Sequence, residues 1–152
     1  DLKSENKVLR ESTRVQGIVS INGAHSFNSQ NWKKMINMSD KMFDFMIKRF
    51  LKHPGMDVDK WFVNYKLKKY QEAIDYFDFM DSSDPPILIA NYGDMVPKSL
   101  SSFNHHPMHA KYLKDRADSL SIENYVFAPK LGIENKEITG ILDFILKQLT
   151  DL

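Results

Sequence analysis

The sequence predicts an α/β fold, a mostly parallel sheet with flanking helices, on three observations. Ile87-Leu88-Ile89-Ala90 is a short continuous apolar run bounded by Pro85-Pro86 and Tyr92-Gly93-Asp94, the pattern of a central parallel strand covered on both faces. From residue 81 onward the order reads strand, helix, strand, helix, which right-handed crossovers convert into a parallel sheet. Near the start, Val15-Gln16-Gly17-Ile18-Val19-Ser20-Ile21 is β-branched and stops at the turn signal Asn22-Gly23.

Each element follows from its own pattern. Residues 1–13 are polar and carry both signs of charge, so they read as a loop or a frayed helical turn. The 15–21 strand carries adjacent apolar residues, Ile18 and Val19, which predicts partial burial on both faces. Residues 29–52 read as helix in two pieces, broken near Ser39-Asp40. In the second piece Met42, Phe43, Met46, Ile47 and Phe50 share a stripe, Ser39 is the N-cap, and His53-Pro54-Gly55 stops the chain. A further helix over about 67–79 puts Leu67, Tyr70, Ala73, Ile74 and Phe77 on one face. After the rigid lead Asp81 to Pro86 and the central strand, a helix runs from about Pro107 to Leu120, with Ala110, Leu113 and Ala117 on one side. A strand at Asn124 to Ala128 and a final helix from about Lys136 to Leu149 complete the chain. Three segments result: 1–28 as a strand with flanking loops, 29–80 as a helical insertion, and 81–152 as an α/β core.

Composition excludes several function classes. The 152 residues carry 21 Lys+Arg against 20 Asp+Glu, a formal net charge of +1, which argues against a dedicated nucleic-acid binder. No cysteine is present, so disulfide scaffolds, thiolate metal sites and a cysteine nucleophile are out. The apolar runs fall far short of the roughly 20 residues that span a bilayer. The opening Asp1-Leu2-Lys3-Ser4-Glu5-Asn6-Lys7 reads as mid-chain loop and carries no targeting segment, which leaves the compartment open. No cofactor is implied, since G-x-G-x-x-G and G-x-x-x-x-G-K-[ST] are both missing from the sequence, as is the nucleophile elbow G-x-S-x-G.

Ligands of open parallel sheets bind at the carboxyl ends of the strands. Three such ends are available: Asn22 to His25, Tyr92 to Met95, and Pro129 to Gly132. Asp94, just past a buried strand and beside Gly93, is placed either to orient a histidine or to cap the turn. His25, Tyr92 and Met95 are candidate substrate contacts by the same strand-end position. The cluster His105, His106 and His109 offers helical i, i+3 spacing for one pair only, with no third ligand, so no metal is expected. Asn104 reads instead as the cap of a helix with Pro107 in its first turn. The methionines and aromatics of 29–80 read as core or as the lining of a pocket, and their periodicity favours core.

Taken in order, these stretches resemble α/β-hydrolase esterases of the carboxylesterase and acetyl-esterase type. Val8-Leu9-Arg10-Glu11-Ser12-Thr13-Arg14-Val15-Gln16-Gly17-Ile18-Val19 is similar to the family's loop leading from the nucleophile helix into a core strand. Asp84-Pro85-Pro86 through Gly93-Asp94-Met95-Val96-Pro97 resembles the element whose aspartate is the acid of the catalytic triad. His105 to Leu113, then Asp118 to Ile122, and finally Ile138 to Leu149 resemble the helix, turn and closing helix that follow. Residues 29–80 stand where the family carries its cap insertion.

The resemblance implies a partial α/β-hydrolase fold, its second half only, with Asp94 as triad acid. The serine elbow and oxyanion-hole loop would precede Asp1, so the implied partners are an N-terminal half, in the same or a separate chain, and a small ester substrate. The late loop Pro129 to Lys136 holds no histidine where the family places one. Two functions therefore stand side by side: part of a serine esterase, inactive alone, or a non-catalytic binding protein on a degenerate hydrolase scaffold. A third, an intact small α/β domain, leaves strand edges that need a partner.

Overall fold

Ile87-Leu88-Ile89-Ala90 is buried at every position, and that burial fixes the architecture. The computed structural model describes residues 15–26, 29–50, 69, 73 and 75–150. Its elements run β1 (Ile18–Ile21), α1 (Ser29–Met35), α2 (Asp40–Phe50), α3 (Tyr76–Phe79), β2 (Ile87–Ala90), α4 (Leu100–Asn104), α5 (Met108–Ser119), β3 (Asn124–Phe127) and α6 (Ile141–Thr150). The three strands form one sheet in the order β1-β2-β3, both pairings parallel, with Ile87 opposite Ile18 on one side and Asn124 on the other. The molecule is thus a small parallel sheet with flanking helices, an α/β arrangement.

Side chains alternate across a strand, so β2 feeds two cores. Ile87 and Ile89 meet Val126 and Ala128 from the β3 side, and Ala110, Leu113 and Ala117 of α5 cover them. Alanines at two of these helical positions let α5 approach the sheet closely. Its outer face is solvated and carries the i, i+4 pairs Lys111–Asp115 and Lys114–Asp118, both at 2.5 Å. On the opposite face Leu88, Ala90 and Tyr125 pack against Ile138 and Phe144. Lys147 lies 4.8 Å over the Tyr125 ring and 2.7 Å from Glu123, which ties α6 to β3. A third cluster, Trp32, Met35, Met38, Phe43 and Phe103, joins α1 and α2 to α4. Among the described residues of 29–80, Trp32, Met35, Met38, Phe43 and Met80 are core, whereas Met42, Phe45 and Phe79 are exposed.

Several sequence expectations need correction. The expected break before Asp40 is present, at Asn37 with its left-handed φ of 54°, and Ser39 caps α2 as expected by accepting from the Met42 N–H at 3.3 Å. Met42 is exposed, however, while Phe43 is buried; the side chains of Met46, Ile47 and Phe50 lie outside the described residues, as do residues 1–13, 53–55, Leu67, Tyr70 and Ile74. The 67–79 helix is not continuous, because Asp75 takes an extended conformation and caps α3, accepting from Phe77 N–H. Ala73, expected on its buried face, is exposed. β1 is not covered on both faces: it alternates, with Val19 and Ile21 exposed. Asn104 ends a separate short helix capped by Ser99, and α5 starts after Pro107 without a side-chain cap.

The last helix begins at Ile141, five residues later than expected. Asn135 Oδ1 accepts from the N–H groups of Glu137 and Ile138, both at 2.8 Å, and holds that stretch in a turn. Ile138 still reaches the core from that turn, but on α6 only Phe144 is buried, leaving Leu142, Ile145 and Leu149 exposed.

The two kinds of apolar position separate in a mutational test. Leu113→Ala should cost about 2–5 kcal/mol in urea unfolding because it opens a cavity between α5 and the sheet. Leu142→Ala, at an exposed site, should stay within about 0.5 kcal/mol.

A candidate functional site at the carboxyl ends of the strands

Asn22 organises the rim where the parallel strands end. It follows β1 in the left-handed region at φ 49°, a conformation asparagine tolerates better than most residues. Its N–H donates to the Ala90 carbonyl at 2.7 Å, and its side-chain oxygen accepts from the Tyr92 N–H at 2.8 Å. Its carbonyl accepts from Nδ1 of His105 at the end of α4. One residue thus joins the turns after β1 and β2 to the start of the α4–α5 corner.

Asn91, fully buried after β2, does the same for the other neighbour. Its N–H donates to the Phe127 carbonyl and its side-chain oxygen accepts from the Gly93 N–H, at 2.8 and 2.9 Å, while its Nδ2 has no partner among the described residues. Gly93 then passes directly beneath the His105 carbonyl oxygen; a β-carbon there would overlap that oxygen. No other residue fits without moving α4.

Four histidines surround this rim. His109 Nδ1 accepts from the His25 N–H at 3.3 Å, so its proton sits on Nε2 and is donated to the Phe103 carbonyl at 3.1 Å. His106 Nδ1 accepts from the Met108 N–H at 3.2 Å, and its Nε2 donates to the Met95 carbonyl at 3.0 Å. His25 Nε2 lies 3.2 Å from the Ser20 hydroxyl. Burial pushes His25 down to about 4 and, with the nearby His25 adding to it, His109 down to about 3. His106 is lowered by burial too, against a raising contribution from the Met95 carbonyl. These three rings are neutral structural ties near pH 7. His105 alone of the four is exposed.

The helices between β1 and β2 are anchored to the same corner by a buried polar network. Ser26 Oγ donates to Asp75 Oδ2 at 2.6 Å, Asn31 Nδ2 donates to the same oxygen at 3.2 Å, and Trp32 Nε1 donates to the Ser26 carbonyl at 2.8 Å.

The residues singled out from the sequence fall in three separate clefts. Asp94 is exposed in a shallow one of about 300 Å³ with Met95, Val96, Lys98 and Lys130, and no hydrogen bond joins it to a histidine among the described residues. His25 is buried and borders a pocket of about 320 Å³ beside Ser20 and Tyr76, on the open edge of β1. Tyr92 is exposed over a cleft of about 340 Å³ beneath α6. The sequence reading missed Asn22 and Asn91 as organisers and His105 as the exposed ring; Asn-Gly signals only a turn, and nothing in the pattern separates His105 from His106. Among the described residues no three His, Asp or Glu side chains stand together to hold a metal ion, and no helix is long and apolar enough to cross a membrane.

Two measurements check this geometry. Unfolded histidines bind a proton near pH 6.5, whereas His25 and His109 resist protonation in the fold until about 4 and about 3. Stability is therefore complete above pH 6.5 and falls as the pH drops through that window, by about 1.4 kcal/mol per pH unit for each such ring. Urea midpoints recorded from pH 7.5 to 4 should follow that slope, and His109→Gln should flatten it. Gly93→Ala should lower stability at pH 7 by about 1–3 kcal/mol, since the α4–α5 corner must shift to admit the methyl group.

Comparison with known protein families, with curated proteins and with solved structures finds no match to this chain.

Proposed function

We propose that the chain is the C-terminal part of a serine esterase-like α/β hydrolase acting on small carboxylic esters. The observation that carries this reading is the edge of β1 that no described strand occupies. Among the described residues β1 pairs with β2 alone, and Val15, Val19, Ile145 and Leu149 line an apolar cleft of about 360 Å³ beside it. A further parallel strand laid along that edge would extend the sheet and cover those apolar side chains. That strand would end beside Asn22, at the rim where Asp94 and His105 stand.

In this reading the incoming half supplies the serine and the oxyanion hole, and the ester is cleaved through an acyl-serine intermediate. Asp94 is the proposed acid at the rim, and residues 29–80 are a cap-like helical segment whose ends are pinned by the Ser26–Asp75 network. His25 borders the β1 pocket, and Tyr92 and Met95 flank the rim as substrate contacts. A second reading has one observation in its favour: the turn after β3, Pro129–Leu131, places Lys130 in the same shallow cleft as Asp94 and carries no histidine. On that basis the alternative is a non-catalytic binding protein on a hydrolase-derived scaffold.

The 152-residue chain alone should show no p-nitrophenyl acetate turnover that a fluorophosphonate abolishes. The complete gene product should show such turnover, with one serine labelled. A complete product with neither turnover nor label overturns the esterase reading in favour of the binding protein. Inhibitor-sensitive turnover by the chain alone overturns the need for a completing half.

A further inference from the structure

We propose that the outward face of α6 is a two-fold dimer interface, taken by α6 of a second copy of this chain in antiparallel orientation. α6 is apolar on two sides. Phe144 is buried and packs with Leu88, Ala90 and Tyr125, whereas Leu142 is 77% exposed, Leu146 61%, Leu149 55% and Ile145 40%. At roughly 3.6 residues per turn these four fall within about 100° of arc, and Phe144 stands on the opposite side of the helix. A helix apolar on both sides calls for cover on both. A strand laid along β1 would not supply it: Ile145 and Leu149 border that cleft, but Leu142 and Leu146 do not.

The spacing of the stripe matches a copy of itself. Positions 142, 145, 146 and 149 are symmetric about the point between 145 and 146. A two-fold axis at that point, perpendicular to two antiparallel helices, brings Leu142 against Leu149 of the second copy. It also sets Ile145 and Leu146 each beside its own counterpart near the axis. An isologous interface requires this self-complementarity, and an unrelated partner does not.

Charge and area agree with that occupant. The two ionised side chains of α6 are engaged within their own chain, off the stripe: Asp143 accepts from the Thr139 N–H at 2.9 Å, and Lys147 pairs with Glu123 at 2.7 Å. The seam therefore sets no like charges against each other and buries no unpaired one. Covering the four side chains on both copies, with the flanks of the two helices, removes on the order of 1,000 Å² from water, the lower limit for a specific interface. An interface of that size suits a reversible dimer of micromolar affinity.

Sedimentation equilibrium on the complete gene product at about 1 to 200 μM should show monomer giving way to dimer. Leu146→Glu sets two carboxylates against each other at the axis, so it should raise the dimer dissociation constant at least about tenfold with the circular dichroism of the wild type. Under mild oxidation Leu146→Cys should give a disulfide-linked dimer that Ser119→Cys, on the exposed face of α5 across the sheet, does not give. A wild type that stays monomeric at every concentration overturns the proposal, as does a dimer that Leu146→Glu leaves intact. A monomer whose melting temperature Leu146→Glu lowers would mean that the completing half covers the stripe, and overturns it as well. None of these outcomes involves ester turnover, so the esterase reading stands or falls separately.

Discussion

The burial of β2 on both faces is the constraint from which the rest of the structure follows. Four apolar residues have no water on either side, so each face requires its own cover, α5 on one and the Ile138–Phe144 stretch on the other. Their backbone groups must be paired as well, which places β1 and β3 alongside and sets the register. Once that register is set, the residues following each strand arrive at one rim together. Asn22 and Asn91 meet there because Ile21 and Ala90 are paired and Ala90 and Phe127 are paired.

That rim is held by side chains that would be costly to bury alone. The His109 ring and the Asn91 amide oxygen are tolerated inside because they are paired with backbone groups. The pairing rigidifies the corner, and His105 is the one of the four rings left exposed.

The sheet and its α5 crossover were plain in the sequence because their signals are local. Pro-Pro before an apolar run, a turn after it, and Ala110-Leu113-Ala117 spacing leave little choice. The errors fall where the deciding partner is remote. Phe144 and Leu142 are both strongly apolar, and the position of Tyr125 and Leu88 decides which is buried. Ile138 fits a helical face by period, yet Asn135 diverts the backbone into a turn. The place of Asp94 just after β2 was legible, whereas the contrast between His105 and His106 depends on contacts with Asn22 and Met95. No periodicity encodes such contacts.

Among the described residues the long connection from Ile21 to Ile87 is tied to the core through His25 on His109, Met80 in the core beside α5, and the packing of Trp32, Met35 and Phe43 with Phe103 of α4. Loop-closure entropy grows only with the logarithm of length, about 0.6 kcal/mol for a doubling. Lengthening or shortening this connection therefore changes the closure entropy of the β1–β2 pairing very little. A change of length between α2 and Asp75 leaves the parallel register of β1 and β2 as it is, so the connection can lengthen at little cost to the sheet.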